Sequence, residues 1–114
     1  MNIITSLPLV ASLMVLPVRA EERPLECGTK AARSEVRPEL AQLEVLSIAA
    51  VAASAKGIDR SKYDAPSVCF DSKLREWTVF YDWHNTGQMR MLDAEFWVRI
   101  SDVNRKAKLF HGGG

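Results

Sequence analysis

No stretch of this sequence reaches the roughly 18–20 unbroken apolar residues that a membrane-spanning helix needs. The nearest approach, Ile3 to Leu16, is interrupted by Thr5, Ser6, Pro8 and Ser12. An excess of one charge is also missing, since fifteen Lys and Arg stand against fourteen Asp and Glu in 114 residues. Such a balance argues against nucleic acid or an anionic membrane as the main partner, because both favour a basic excess. Catalytic signatures are absent as well. The serines lie in no G-x-S-x-G elbow, and two histidines give no triad by spacing. His111-Gly112-Gly113-Gly114 has the form of an oxyanion-hole motif, but without an elbow it reads as a strand running into a tail. There are no internal repeats, and the terminal glycines are the only low-complexity segment.

What is there begins with an export signal. The apolar run closes with Pro17-Val18-Arg19-Ala20 and meets the charged Glu21-Glu22-Arg23. Val18 and Ala20 suit the −3 and −1 pockets of a signal peptidase, and Pro17 breaks the apolar helix just before the cut. No Lys or Arg precedes the run, which leaves the amino terminus as its only positive charge. Residues 1–20 are therefore expected to be a cleaved signal peptide and residues 21–114 a single domain, exported to the periplasm. With Arg19 removed, basic and acidic side chains are equal in number.

Two cysteines, Cys27 and Cys69, remain after cleavage. In an oxidising compartment an even pair is most simply one disulfide. Closing a loop of about 43 residues restricts the unfolded chain by roughly 4 kcal/mol in the loop-entropy account. Two rival readings are weaker. Leu25-Glu26 ahead of Cys27 does not suit lipid modification. Zinc wants four ligands, and only His84 and His111 could add nitrogen to the two thiols.

The mature chain opens with a polar arm to Val36, and Pro38 suits the first turn of a helix. Leu40 to Lys56 is dominated by helix formers and apolar residues, with Glu39 and Glu44 near the positive end and Lys56 at the negative end. Gly57 supplies a left-handed cap on which Ile58 folds back. The helix is apolar nearly all round in its second half, which predicts cover on more than one side. Asp59 to Tyr63 predicts a short helical turn. The periodicity then changes to alternation. Strands are expected at Ser67–Asp71, Glu76–His84, Ala94–Ser101 and Lys106–His111, with turns at Ser72–Arg75, Asn85–Gly87 and Asp102–Arg105. This order predicts an α+β domain in which the arm and one long helix pack on a curved antiparallel sheet of about four strands.

Alternation sorts the aromatics. Trp77, Val79 and Tyr81 share one face with Phe96, Val98 and Ile100, which leaves Phe80 and Trp97 to project outward beside Thr78, Arg99 and Glu95. An aromatic and arginine cluster on a sheet face suits protein binding, since Trp, Tyr and Arg dominate interface hot spots. The bland alternative is that the arm covers this face, drawn there by the Cys27–Cys69 bond. A second candidate contact is the loop Gln88-Met89-Arg90-Met91-Leu92, a flexible apolar tip that would insert into a partner or fold back on the core. Asp82 and His84 lie two apart on one strand and would share a face. They could do acid–base work or form a plain surface pair.

Ile48-Ala49 in a helix, Gly57-Ile58-Asp59, Tyr63, Phe70-Asp71, Trp77-Thr78-Val79-Phe80 and Phe96-Trp97-Val98-Arg99-Ile100 together resemble small exported proteins of the nuclear-transport-factor-like and cystatin-like group. Within that group the chain is similar to immunity proteins that protect bacteria from antibacterial toxins. The likeness spans about Leu40 to Gly113. PepSY-type domains, linked to peptidase inhibition, share the helix-then-meander order and the Trp-x-Val strand. The resemblance implies a cystatin-like fold and a non-enzymatic binder without cofactor or metal. Its partner would be a cognate toxin or effector, such as a secreted hydrolase. Phe80, Trp97 and Arg99, or Met89, Arg90 and Met91, would make the contact, and a homodimer stays open. A periplasmic carrier holding a small ligand between helix and sheet, or a peptidase inhibitor, is the alternative. An enzyme would need Asp82 and His84 to meet in a cleft.

Overall fold

The structure, a computed structural model, describes residues 23–28, 32–84 and 94–112. The expected signal peptide and the turn at 85–87 lie outside the described residues. Helix α1 (Gln42–Ala55) leads through a 3-10 turn (Arg60–Lys62) into strands β1 (Ser67–Asp71), β2 (Glu76–Tyr81), β3 (Phe96–Ser101) and β4 (Ala107–His111). The strands form one open antiparallel sheet in the order β1-β2-β3-β4. The helix packs on one face of that sheet, so the domain is α+β as the sequence predicts. Among the described residues no helix is long and apolar enough to cross a membrane.

Alternation sets which side chains are inside. Phe70 lies opposite Trp77, Trp77 opposite Ile100, and Val79 opposite Val68 and Val98, so one face carries a continuous apolar surface. Val45, Ala49 and Ala53 of α1 bury against it, and the two alanines let the helix come close to the sheet. The helix is not covered on a second side: Leu43 and Val51 are 78% and 67% exposed. Its apolar outer stripe is therefore a surface feature and not a second core contact.

The ends of α1 follow local chemistry. Gly57 adopts φ +76°, its N–H reaches Ser54 O and the Ile58 N–H reaches Ala53 O, which closes the helix in a Schellman cap. At the other end the helix starts two residues later than expected, with Ala41 as its N-cap, and Pro38 lies outside it. Asp102 anchors this approach to the helix. This buried carboxylate, in the β3–β4 turn, accepts the Glu39 N–H at 2.8 Å on Oδ2 and the Leu40 N–H at 2.9 Å on Oδ1. The carboxylate thus supplies acceptors for two amides that have no partner within α1. Glu44 bonds back to the Ala41 N–H and also pairs with Arg105 at 2.5 Å; the Arg105 bond, then the Ala41 bond, lower its pKa.

Asp102 reaches further. Its Oδ1 accepts the Trp77 Nε1–H at 3.1 Å, Arg75 lies 3.7 Å from Oδ2, and its own N–H donates to Arg75 O. Four segments thus meet at one side chain: the approach to α1, the β1–β2 turn, β2, and the β3–β4 turn. Cys27 and Cys69 form the expected disulfide. It fastens the arm along the β1 edge, where the Phe70 N–H donates to Leu25 O and the Cys27 N–H to Phe70 O.

Replacing Asp102 by Ala leaves two backbone amides and an indole N–H without their acceptor, each worth about 1 kcal/mol. We expect Asp102→Ala to lower unfolding free energy by about 3 kcal/mol in urea titration. A change below about 1 kcal/mol would show that water replaces the carboxylate without loss.

Candidate functional site

The sheet face turned away from the helix carries the candidate site. Register places Phe80 opposite Trp97, and Trp97 opposite Phe110, so three aromatic rings cross three adjacent strands in one row. Phe80 and Trp97 stack with centroids 6.2 Å apart, and Trp97 and Phe110 at 5.9 Å with planes only 12° from parallel. The next row is basic: Arg99 lies opposite Lys108, and the Arg99 guanidinium sits 5.2 Å from the Phe110 ring centre. That position gives a cation–π contact and holds the guanidinium against the row. All three rings are half-buried, while Arg99 and Lys108 are exposed.

Two features frame the row. At its Phe80 end a shallow groove of about 210 Å³ is lined by Leu25, Cys27, Gly28, Ser67, Thr78 and Phe80. Beside its Phe110 end the Glu95 side chain crosses Gly112, where an added Cβ would meet the Glu95 carboxylate at 2.5 Å, so a side chain at position 112 would displace Glu95. From one end to the other the face therefore runs acid, aromatic, base.

The structure brings Phe80, Trp97 and Arg99 together as the alternation implies. Among the described residues the arm is held at the β1 edge by the disulfide and is not paired across them. The loop residues Met89, Arg90 and Met91 lie outside the described residues. Phe110 and Lys108 complete the cluster beyond the residues that strand alternation alone singles out. The expected turn at Asp102–Arg105 pairs Ser101 with Lys106, and counting back from that pair sets Trp97 opposite Phe110, so the signal was present.

Asp82 and His84 do not form the expected pair. Strand β2 ends at Tyr81, and His84 Nδ1 lies 2.6 Å from Asp64 Oδ1. Trp83 bridges to Tyr63, the Asp64 N–H donates to Asp82 O, and the His84 N–H donates to Lys62 O; this crossing selects Asp64. Both side chains of the pair are more than half exposed, so the contact is a surface one. Among the described residues no group of His, Cys, Asp and Glu is arranged to hold a metal ion.

Tyr63 closes this corner. Its ring meets Phe96, Trp83 and Tyr81 edge-on, and its hydroxyl donates to Ala94 O at 2.8 Å. Comparison of the chain with protein-family models, curated proteins and solved structures finds no match.

Burial, and to a smaller degree the Glu95 charge, push the Tyr63 pKa above its ordinary value of 10.0. Burial raises Tyr81 in the same direction. A raised folded pKa favours the neutral phenol, so the stabilisation is complete below pH 10 and is lost as pH rises through the folded value. We expect the urea midpoint to fall as pH rises above 10, and to fall less in Tyr63→Phe. An equal fall in both proteins would place the alkaline sensitivity elsewhere.

Proposed function

We propose that this protein is an exported, non-enzymatic binding protein that docks another protein on its outer sheet face. Within that class it is a periplasmic immunity protein that blocks a secreted toxin by covering the toxin's working surface. The observation that carries the reading is the aligned row Phe80–Trp97–Phe110 with Arg99 seated on its end. Stacked rings on paired strands are already ordered, so little side-chain freedom remains to be lost on binding. Aromatic and arginine side chains are also the types that dominate interface energetics.

The disulfide fits an oxidising compartment, and a signal peptide at residues 1–20 would deliver the chain there. A cystatin-like lineage is the corresponding proposal for the fold. The PepSY-like inhibitor alternative would use the same outer face against a peptidase. A small-ligand carrier needs a chamber between helix and sheet. There, Val45, Ala49 and Ala53 pack against Trp77, Val79, Val98 and Ile100, all at 1% exposure or less.

The test is capture of a partner by disulfide-bonded residues 21–114 from envelope and secreted fractions, followed by variants. Trp97→Ala and Arg99→Glu should weaken a stoichiometric partner by about thirtyfold or more, the scale of a 2 kcal/mol hot spot. Arg99→Glu should leave the unfolding midpoint close to the parent's, and Trp97→Ala should remain folded with only the loss of its two cross-strand stacks, about 0.2–1 kcal/mol each. Full affinity in both variants would refute the outer-face reading.

A further inference from the structure

The sheet has two unlike edges. At β1 the outward N–H and C=O of Phe70 are taken by Leu25 O and the Cys27 N–H. At β4, among the described residues, no strand or bridge pairs with the outer side. The Ser101 N–H donates to Lys106 O and the Gly112 N–H to Glu95 O, so residues 106, 108, 110 and 112 of the return strand turn their backbone groups toward β3. Ala107, Leu109 and His111 consequently direct N–H and C=O groups outward from the sheet. Ala107 and His111 are exposed and Leu109 is half-buried. This is a three-residue template for an added strand.

We propose that β4 accepts an extended segment of a protein partner as a fifth strand, with an acidic residue beside Lys108 and an aromatic residue beside Phe110. The inference rests on the outer face being a docking surface, but it names a separate contact, the strand edge. Two observations select this occupant. The aromatic row ends at Phe110 on the open edge, so an aromatic on an added strand would become its fourth ring. The row beside it ends in Arg99 and Lys108, which leaves a basic position for a carboxylate.

Positions 108 and 110 would form the closer, non-hydrogen-bonded pairs with an antiparallel strand, where side chains interact most. Edge lysines also guard against self-pairing. A second copy on the same edge would bring both copies' Lys106 and Lys108 into one ribbon, and like charges there oppose it. That guarding role does not account for an aromatic row that continues to the edge.

The probe is the peptide acetyl-Thr-Tyr-Val-Glu-Thr-amide. Run antiparallel to β4, it places Tyr opposite Phe110, Val opposite Leu109 and Glu opposite Lys108. Titrated to a few millimolar against the disulfide-bonded chain, it should slow amide exchange at Ala107, Leu109 and His111 by about tenfold. Replacing the peptide's Glu by Lys, or Lys108 by Glu in the protein, should weaken binding by about tenfold; combining the two should restore it. Ala107→Pro removes an outward N–H without touching the bonds to β3, and should weaken the peptide similarly. If Ala107→Pro does not fold, the charge swap carries the test.

No binding, or binding that leaves those three amides exchanging as in the free chain, overturns the proposal. Protection that grows with protein concentration in the absence of peptide assigns the edge to a second copy and overturns it too. A captured partner lost on Trp97→Ala but retained on Lys108→Glu and Ala107→Pro leaves the outer face standing and removes the edge.

Discussion

The carboxylate of Asp102 is the constraint on which the geometry of this domain depends. A buried charged group is costly unless its acceptor positions are filled, and here two backbone amides, an indole N–H and a guanidinium address it. The donors come from three parts of the chain, the approach to α1, the β1–β2 turn and β2, so satisfying the charge and assembling the fold are the same event. The amides of Glu39 and Leu40 tie the approach to α1 to the β3–β4 turn. The indole of Trp77 fixes the depth of the largest core side chain. Arg75 ties the β1–β2 turn to the β3–β4 turn at one end of the sheet. A hydrophobic contact of equal area would hold these segments together without specifying their angles.

Much of this architecture is legible in the sequence because it is local. The switch from helical to alternating periodicity after Tyr63 marks where the sheet begins. Gly57 stops the helix because a left-handed φ is needed there. The inward triplets Trp77-Val79-Tyr81 and Phe96-Val98-Ile100 follow from the pleat alone. What could not be read depends on tertiary meeting. Asp102 looks like an ordinary turn residue, and nothing beside it tells that its partners lie 62 and 63 positions away. Pro38, a good first-turn residue by rule, falls outside the helix, which begins at Gln42.

The candidate site divides in the same way. Phe80, Trp97 and Arg99 could be placed on one face by counting, and counting through the last hairpin also reaches Phe110. The His84 partner could not be found so. Two residues on one strand share a face only while the strand continues, and β2 ends at Tyr81. Beyond it the chain bridges to Tyr63, which presents Asp64 instead of Asp82. The helix misleads for a different reason. Its all-round apolar character suggests burial on several sides, yet small alanines contribute little exposed apolar area, so only Leu43 and Val51 stand out as large apolar groups in solvent.

The outer face and the core are linked through the same strands. Each residue of β2 and β3 that packs on the helix fixes the height and direction of the outward residue beside it. The rows Phe80–Trp97–Phe110 and Arg99–Lys108 are therefore as well placed as the core beneath them. The disulfide acts in the same direction, because Cys69 lies on this outer face and pins the arm at the β1 edge. An arm free to lie across the face would compete with a partner for the aromatic row. Held at the edge, it closes one side of the sheet, satisfies the backbone of Phe70 and leaves the rings half-buried. A residue that stabilises the domain is thus also one that keeps the described part of the arm at the β1 edge.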